Sequence, residues 1–487
     1  MNMDKSEQTR RQFLKTLTVL SSSLVVLQCR SSLNKGKIPN ILFLLTDDQR
    51  YNTINVLGNK DIITPNLDSL VENGVAFTNA YIMGGLSAAV CMPSRASLLT
   101  GRSCFHLVDS GRILPEDHIT LPELFRRSGY ITFGTGKWHN GRDSYARSFS
   151  TGAKIMFGGM SDHYKVPLHD FDPSGEYRNE NQYFFQNKHS SEIYADAALE
   201  FLQNYNHEKP FFMYISFQAP HDPRDISEKY LEMYDHQSIA IPENFMPEHP
   251  FNNGELSVRD ELLAPFPRTP REIRHHIAAY YAMITHLDAQ IGRIFSMLIE
   301  KKLVENTIIV YSSDNGLAVG QHGLLGKQNL YEHSVKVPLI ISGPGIPKGE
   351  QRPVLCYLLD IYPTLCDLAG IAIPASVEGK TLIDLIEGKV DKVRDALLFV
   401  YKNFQRGIRN DRWKLIHYNV RGKKKTQLFD LKNDPWEKCN LADDPTKTEL
   451  IAKLTDQMKY LLVEAGDKVD LDKPDWNVPL IPSWGSK

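Results

Sequence analysis

The chain is short of cysteine, has no surplus of either charge, and contains no long apolar run, and each shortage removes a class of protein. Its 6 cysteines, at positions 29, 91, 104, 356, 366 and 439 of 487, include no CxxC pair. A disulfide scaffold, a zinc ribbon and a thiol-exchange motif are therefore not expected. Lysine and arginine number 56 against 58 aspartates and glutamates, a net charge of -2. That balance leaves no electrostatic footprint for a nucleic-acid partner, so any anion must be held by local charges. The apolar stretch near the start, Leu17 to Leu27, is 11 residues long, well under the roughly 20 that cross a bilayer. No internal repeat or low-complexity tract is evident, and no transmembrane span is expected.

What is present is ordinary globular material, long enough for one large core and a smaller appended domain. The short apolar stretch follows Thr9-Arg10-Arg11-Gln12-Phe13-Leu14-Lys15, which reads as a twin-arginine export signal. Residues 1–38 are read as that signal and a polar tether, with delivery to the periplasm or the medium. Cys29, after Val26-Leu27-Gln28, offers lipoprotein anchoring as an alternative, although Gln28 is larger than such cleavage sites prefer.

Asn40-Ile41-Leu42-Phe43-Leu44-Leu45-Thr46-Asp47-Asp48 is a continuous apolar run ending in carboxylates. A central parallel strand buried on both faces has this pattern, and its carboxyl end is where ligands sit. The run from Thr307 to Asn315 ends likewise, in Asp314-Asn315, which points to one shared site. Thr64 to Gly74 is punctuated as a helix, with an N-cap threonine, Pro65 first and a terminal glycine. Helices predicted over 120–128 and 192–205 lead to strands at 130–135 and 211–217. A long helix from 270 to 302 is predicted from Ile277, Tyr281, Ile284, Ile291, Ile294 and Leu298 on one face. Residues 222–269 have no period and read as a surface excursion that shapes a pocket. After Pro374 short strands at 396–401, 406–409, 413–418 and 427–431 suggest an antiparallel meander, closed by a helix over 446–465. The expectation is an α/β fold: a large, mostly parallel central sheet flanked by helices over 39–375, then a smaller antiparallel sheet-plus-helix subdomain over 376–487.

Asp47, Asp48, Asp314 and Asn315 are hard oxygen donors, the type that selects calcium or magnesium over zinc. Alone, Asp47-Asp48 would serve equally as a turn or helix cap. Cys91-Met92-Pro93-Ser94-Arg95-Ala96-Ser97-Leu98-Leu99-Thr100-Gly101-Arg102 places a cysteine before a helix predicted from Ser94, whose positive end suits an anion. The bland alternative is a buried cysteine ahead of an ordinary helix. This run resembles the signature of the type I sulfatases of the alkaline phosphatase superfamily. Gly136-Lys137-Trp138-His139, Ala219-Pro220-His221-Asp222-Pro223 and Gln321-His322-Gly323-Leu324-Leu325-Gly326-Lys327 are similar to further segments of that family. The resemblance runs from about Pro39 to Ala442 and is most specific at Cys91 to Arg102.

The resemblance implies that a formylglycine-generating (sulfatase-maturating) enzyme reads Cys91-x-Pro93-x-Arg95 and oxidises Cys91 to formylglycine (3-oxoalanine). The hydrated aldehyde then attacks sulfur, and loss of its second hydroxyl proton expels sulfate. It also implies a divalent cation, calcium before magnesium, held by Asp47, Asp48, Asp314, Asn315 and the altered Cys91. Arg95, Lys137 and Lys327 would bind sulfate, His139 would assist the diol, and His221 would protonate the leaving alcohol. Asn140 replaces the family's usual leucine and is expected to alter the wall beside the site. His322 is either a pocket residue or a structural one. The function implied is an exported sulfatase acting on O-sulfate of a sulfated polysaccharide or its oligosaccharides, such as ulvan or another algal glycan, a glycosaminoglycan or a mucin sugar. Two alternatives stand beside it: a formylglycine-dependent phosphonate monoester or phosphodiester hydrolase, and a non-catalytic glycan-binding protein on the same fold, against which the intact Cys91 motif argues.

Overall fold

Strands β1 (Asn40–Thr46), β6 (Phe211–Ser216) and β7 (Thr307–Ser313) are buried along their whole length, and strands with no polar face are stable only between two covering layers. The computed structural model describes residues 37–185 and 187–476; the Arg10-Arg11 segment, Cys29 and the last residues of the tail lie outside them. The other strands are β2 (Gly74–Tyr81), β3 (Gly84–Gly85), β4 (Ile131–Lys137), β5 (Thr151–Met156), β8 (Lys336–Val337), β9 (Leu339–Ser342) and β10 (Glu350–Tyr357), followed by β11 (Leu397–Tyr401), β12 (Gln405–Arg409), β13 (Trp413–Val420) and β14 (Lys423–Asp430). Among the described residues the main sheet runs β10-β2-β9-β7-β1-β6-β4-β5, with β8 beside β2. β9 is antiparallel to both its neighbours and β8 is antiparallel to β2. All other pairs in the sheet are parallel. The mostly parallel α/β sheet expected from the sequence is the one observed.

Alternate residues of β1 enter different cores, as strand geometry requires. Leu42 and Leu44 pack with Ala195 and Ala198 of the helix Ser190–Asn204 and with Leu287 and Ile291 of the helix Pro270–Glu300. Ile41, Phe43 and Leu45 join Leu98, Phe125 and Tyr362, and also Phe399, Tyr401 and Ile416 of the second sheet. That second sheet, β14-β13-β12-β11-β3, is thus a further layer on the same core. Its other face is closed by Leu454, Met458 and Leu462 of the helix Thr448–Glu464. β3 comes from far upstream, just before Cys91, and pairs Gly84 with Val400. A Cβ at Gly84, whose φ is +99°, would lie 2.0 Å from the Val400 carbonyl oxygen, so only glycine allows this junction.

Three sequence expectations change. Pro65 does open the helix Pro65–Glu72, but the Thr64 hydroxyl accepts from Asn55 N–H at 2.9 Å and caps nothing. Asp288 caps instead, accepting from Leu67 N–H at 2.8 Å and Asn66 N–H at 3.2 Å. The 222–269 segment is not all surface: Tyr234, Ile239 and Ala264 are buried with Ile273 and Ile277 of the long helix. A segment without periodicity gives no sign of which residues turn inward. Finally, the helix expected from Ser94 begins three residues earlier, as Cys91–Thr100. Pro93 is tolerated in its first turn because no backbone N–H is needed there. The five described cysteines, Cys91, Cys104, Cys356, Cys366 and Cys439, are free thiols. No helix among the described residues is long and apolar enough to cross a membrane.

Candidate active site

β7, β1, β6 and β4 are adjacent and parallel, and their carboxyl ends form one edge, the place where open α/β sheets hold ligands. Thr46 and Ser313 are register partners, which sets Asp47-Asp48 beside Asp314-Asn315. Asp314 N–H donates to the Thr46 carbonyl at 3.1 Å, and Asp48 N–H donates to Asp314 Oδ1 at 3.2 Å. Lys137 ends β4, and His221 follows β6. From across this edge the helix Cys91–Thr100 presents Cys91 and Arg95, four residues apart and so on one face. No side chain caps its first turn, and both Ala89 and Cys91 line the cleft, so the positive end of the helix opens toward any bound anion.

The charges form a closed network. Cys91 Sγ lies 3.4 Å from Asp47 Oδ1 and 3.0 Å from Lys327 Nζ, which also donates to Asp48 Oδ1 at 2.6 Å. Lys137 Nζ pairs with Asp47. Arg95 donates from Nε to Asp314 Oδ2 at 2.7 Å, from Nη2 to Asp47 Oδ2 at 3.3 Å, and from Nη1 to the Lys137 carbonyl at 3.0 Å and to Ser216. Burial alone would raise the Asp47 carboxyl, yet Lys137 and Arg95 beside it carry it well below the ordinary range. Burial and then the Asp47 charge push Asp314 up to about 6. Burial, followed by Asp47, raises the Cys91 thiol well above its usual value, so the unaltered side chain is a weak nucleophile.

Two histidines stand over the network. His139, with φ of +72°, keeps Nδ1 buried without a partner. Burial, then Lys137 and Arg95, hold its pKa well below the usual value, so the ring is neutral. Gly159 makes room for it, since a Cβ there would lie 2.9 Å from His139 Nε2. His221 Nδ1 donates to the Asp222 carbonyl at 2.7 Å, which fixes that nitrogen as protonated, and its Nε2 lies 3.6 Å from Asp48 Oδ2.

Asp47, Asp48, Cys91 and His221 place candidate ligand atoms within 4.8 Å of one another. Asn315 donates its amide N–H to Asp48 and leaves its Oδ1 buried with no partner, an orphaned acceptor of the kind a cation satisfies. Three carboxylates and one free amide oxygen are a hard donor set, which fits calcium or magnesium.

Asp47, Asp48, Asp314 and Asn315 thus meet Cys91, Arg95, Lys137, His139, His221 and Lys327 at one edge, while Asn140 and His322 stand apart from it. Arg95 is fully buried, and its Nε, Nη1 and Nη2 donate to Asp314, to the Lys137 carbonyl and Ser216, and to Asp47, so it holds these carboxylates in place. Asn140 is no wall of the cleft: it is buried and donates to the carbonyls of Met92 at 2.9 Å and Gly111 at 2.7 Å, anchoring the start of the helix Cys91–Thr100. His322 stacks on Tyr331 at 3.9 Å, faces Asn244 at 3.2 Å and lines a different cavity from Cys91. Sequence reasoning missed Ser216, His163 behind His221, and the Arg259–Asp222 ion pair at the cleft mouth. None belongs to a local pattern, although Ser216 closes a strand that the sequence did reveal.

The sulfatase family profile matches residues 39–371, and a profile for the C-terminal part of N-sulphoglucosamine sulphohydrolase matches residues 320–464. An arylsulfatase of Clostridium perfringens is 31% identical over 88% of this chain and 94% of its own length. An ulvan-active sulfatase of Formosa agariphila is 30% identical over 92% and 87%. A solved structure, described as a complex with its substrate D-glucosamine-2-N,6-O-disulfate, superposes with a TM-score of 0.75 at 25% identity, covering 90% of this chain and all of that one.

Proposed function

The chain belongs to the type I sulfatase family and is a sulfuric ester hydrolase, and from that premise we propose that it removes O-sulfate from a sulfated carbohydrate, with Cys91 matured to formylglycine. The observation that carries this reading is the position of Cys91 Sγ, 3.4 Å from Asp47 and 3.0 Å from Lys327, in the lining of a cleft of about 880 Å³. That volume is near the upper end of the roughly 300–1,000 Å³ of small-molecule sites, ample for sugar rings. The ulvan named for one relative and the disulfated glucosamine named for one solved complex support a carbohydrate substrate. Export through the Arg10-Arg11 segment is part of the same proposal and rests on the sequence.

When present, formylglycine at Cys91 supplies a hydrated aldehyde as nucleophile, and calcium bound by Asp47, Asp48, Asp314 and Asn315 supplies Lewis-acid charge at a sulfuryl oxygen. The side chains do the rest. Lys327, which lines the cleft beside Cys91, offers its N–H groups to the sulfate, reinforced by the helix amino end. Arg95 and Lys137 neutralise Asp47 and Asp314 and keep the donor oxygens aligned. Neutral His139, with an unpartnered nitrogen, accepts a proton. His221 donates from Nδ1 to the Asp222 carbonyl, which leaves Nε2, 3.6 Å from Asp48, as the atom that serves the leaving alcohol.

The test is sulfate release from an aryl sulfate and from defined sulfated oligosaccharides, run against matched phosphate and phosphonate esters, with the peptide containing position 91 examined by mass spectrometry. The expected result is an aldehyde at position 91, preference for sulfate, and a loss of at least about 10³-fold in Cys91→Ala. Protein carrying the aldehyde and loaded with calcium that released no sulfate from any of these would overturn the reading.

A further inference from the structure

Beyond Cys91, His139, His221 and Lys327, the cleft has a second wall that includes Arg142, Phe157, His169 and Gln182. Arg142 opens the helix Arg142–Ser148 after Gly141. Its guanidinium donates to the Tyr177 carbonyl and, at 2.8 Å, to Asn179 Oδ1, and lies 5.6 Å from the Phe157 ring centroid. The remaining cleft cations are paired: Lys327 with Asp48 at 2.6 Å, Arg259 with Asp260 at 2.6 Å and with Asp222, and Arg112 with Asp109 at 3.3 Å. Among the described residues no carboxylate pairs with Arg142. Its fork is held in place by neutral acceptors while its charge is unanswered.

His169 lies near it. The ring is only 2% exposed, and neither Nδ1 nor Nε2 has a hydrogen-bond partner. It is braced by main-chain bonds to Ile155, at 2.8 and 2.9 Å, and by the rings of Phe157 and Tyr177, with centroids 5.5 and 5.9 Å away. Burial, then the charge of Arg142, lowers its pKa, so one nitrogen is a donor and the other an acceptor. Buried polar atoms without partners disfavour the folded state unless a ligand satisfies them. An orphaned imidazole beside an uncompensated guanidinium, in a cleft whose far end is built for a sulfate, is a preformed site for an acid.

We propose that Arg142 and His169 form a subsite for a second anionic group of the substrate, a carboxylate or a sulfate carried on the same sugar or its neighbour, separate from the ester that is cleaved. The proposal rests on the sulfatase reading above and narrows the substrate class to glycans bearing at least two acidic groups. Arg142 supplies the charge and the N–H groups that Tyr177 and Asn179 leave free. His169 supplies one N–H, and the Phe157 face supplies an apolar floor against a sugar ring.

The experiment uses the matured full-length enzyme and four substrates: an aryl sulfate, a monosulfated disaccharide of neutral rings, its analogue with one uronate carboxylate, and its analogue with a second sulfate. The expected result is that wild type prefers one or both dianionic disaccharides over the neutral one. In Arg142→Gln that ratio of kcat/KM falls about 10- to 100-fold, mostly through KM, as loss of a charge-assisted contact requires. Arg142→Lys keeps part of the preference, since it retains charge without the fork. Gln182→Glu, on a half-buried loop position of the same wall, sets a carboxylate against the second anion and lowers the same ratio, so the idea stays testable if Arg142→Gln fails to fold. Which analogue loses more identifies the acid. No preference in wild type, or a ratio unmoved by the variant that folds, would overturn the subsite alone; absence of sulfate release from all four substrates would instead strike the sulfatase reading.

Discussion

His163 donates from Nε2 to the backbone carbonyl of His221 at 2.8 Å, while its Nδ1 meets the Ser190 hydroxyl at 2.7 Å. Burial lowers its pKa to about 4, so the ring is neutral and this tautomer persists at working pH. The imidazole proposed as proton donor is thus held from behind by a second one.

Replacing that support should disturb positioning more than binding. His163→Ala is expected to lower kcat by about 10- to 100-fold, the penalty for a catalytic group displaced by roughly an ångström, with KM little changed. Steady-state kinetics on an aryl sulfate measure both. His163→Asn, which can still donate to the carbonyl, should recover part of the loss, and a KM effect without a kcat effect would contradict the positioning role.

Arg95 compensates Asp47 and Asp314 where neither can reach water. Removing one partner of such a buried network costs about 3–5 kcal/mol, so Arg95→Ala should unfold at much lower denaturant concentration. Combining it with Asp314→Asn should cost less than the sum of the two single changes, because the second removes the charge that the first exposes. Additive losses in a double-mutant cycle would count against the network.

Asp288 reaches from the long helix to cap Pro65–Glu72 through Asn66 and Leu67. Asp288→Ala should cost about 1–2 kcal/mol, as for other lost caps. Burial pushes this carboxyl up to about 6, above the unfolded value, so its contribution weakens as pH rises through 4 to 6. The alanine variant should lack that slope, which thermal unfolding followed across the window will reveal.

His249 gives the opposite sign. Burial lowers it to about 4 against roughly 6.5 in the unfolded chain, so the unfolded state takes up protons first on acidification. Stability from this ring is complete above pH 6.5 and is lost as pH falls toward 4, by about 1 kcal/mol between pH 7 and 5.5. His249→Gln should lose about that much less than wild type over the same interval, and identical pH profiles would refute the assignment.

Much of the site was legible because its residues end or begin local patterns. Asp47 and Asp314 follow apolar runs, Lys137 ends a strand, and Cys91 opens the signature run, so each could be found with no knowledge of its neighbours. Roles were less legible than positions. That Arg95 reaches Asp314 and Asn140 reaches Met92 was not readable, because a side chain's partner depends on segments that arrive from elsewhere: Asp314 lies 219 residues from Arg95, and Met92 lies 48 from Asn140.

Periodicity, punctuation and residue type, all written within a few neighbouring positions, determined the α/β class, the order of most elements and the place of Asp47-Asp48 and Asp314-Asn315 at strand ends. Pairing across the sheet was decided only in three dimensions. β9 runs against its neighbours, β3 crosses to the second sheet through Gly84, and Tyr234 turns inward from an irregular loop. The unpaired state of Arg142 and the empty hydrogen-bonding capacity of His169 are of the same kind, since a charge or a polar atom lacks a partner only in relation to everything folded around it.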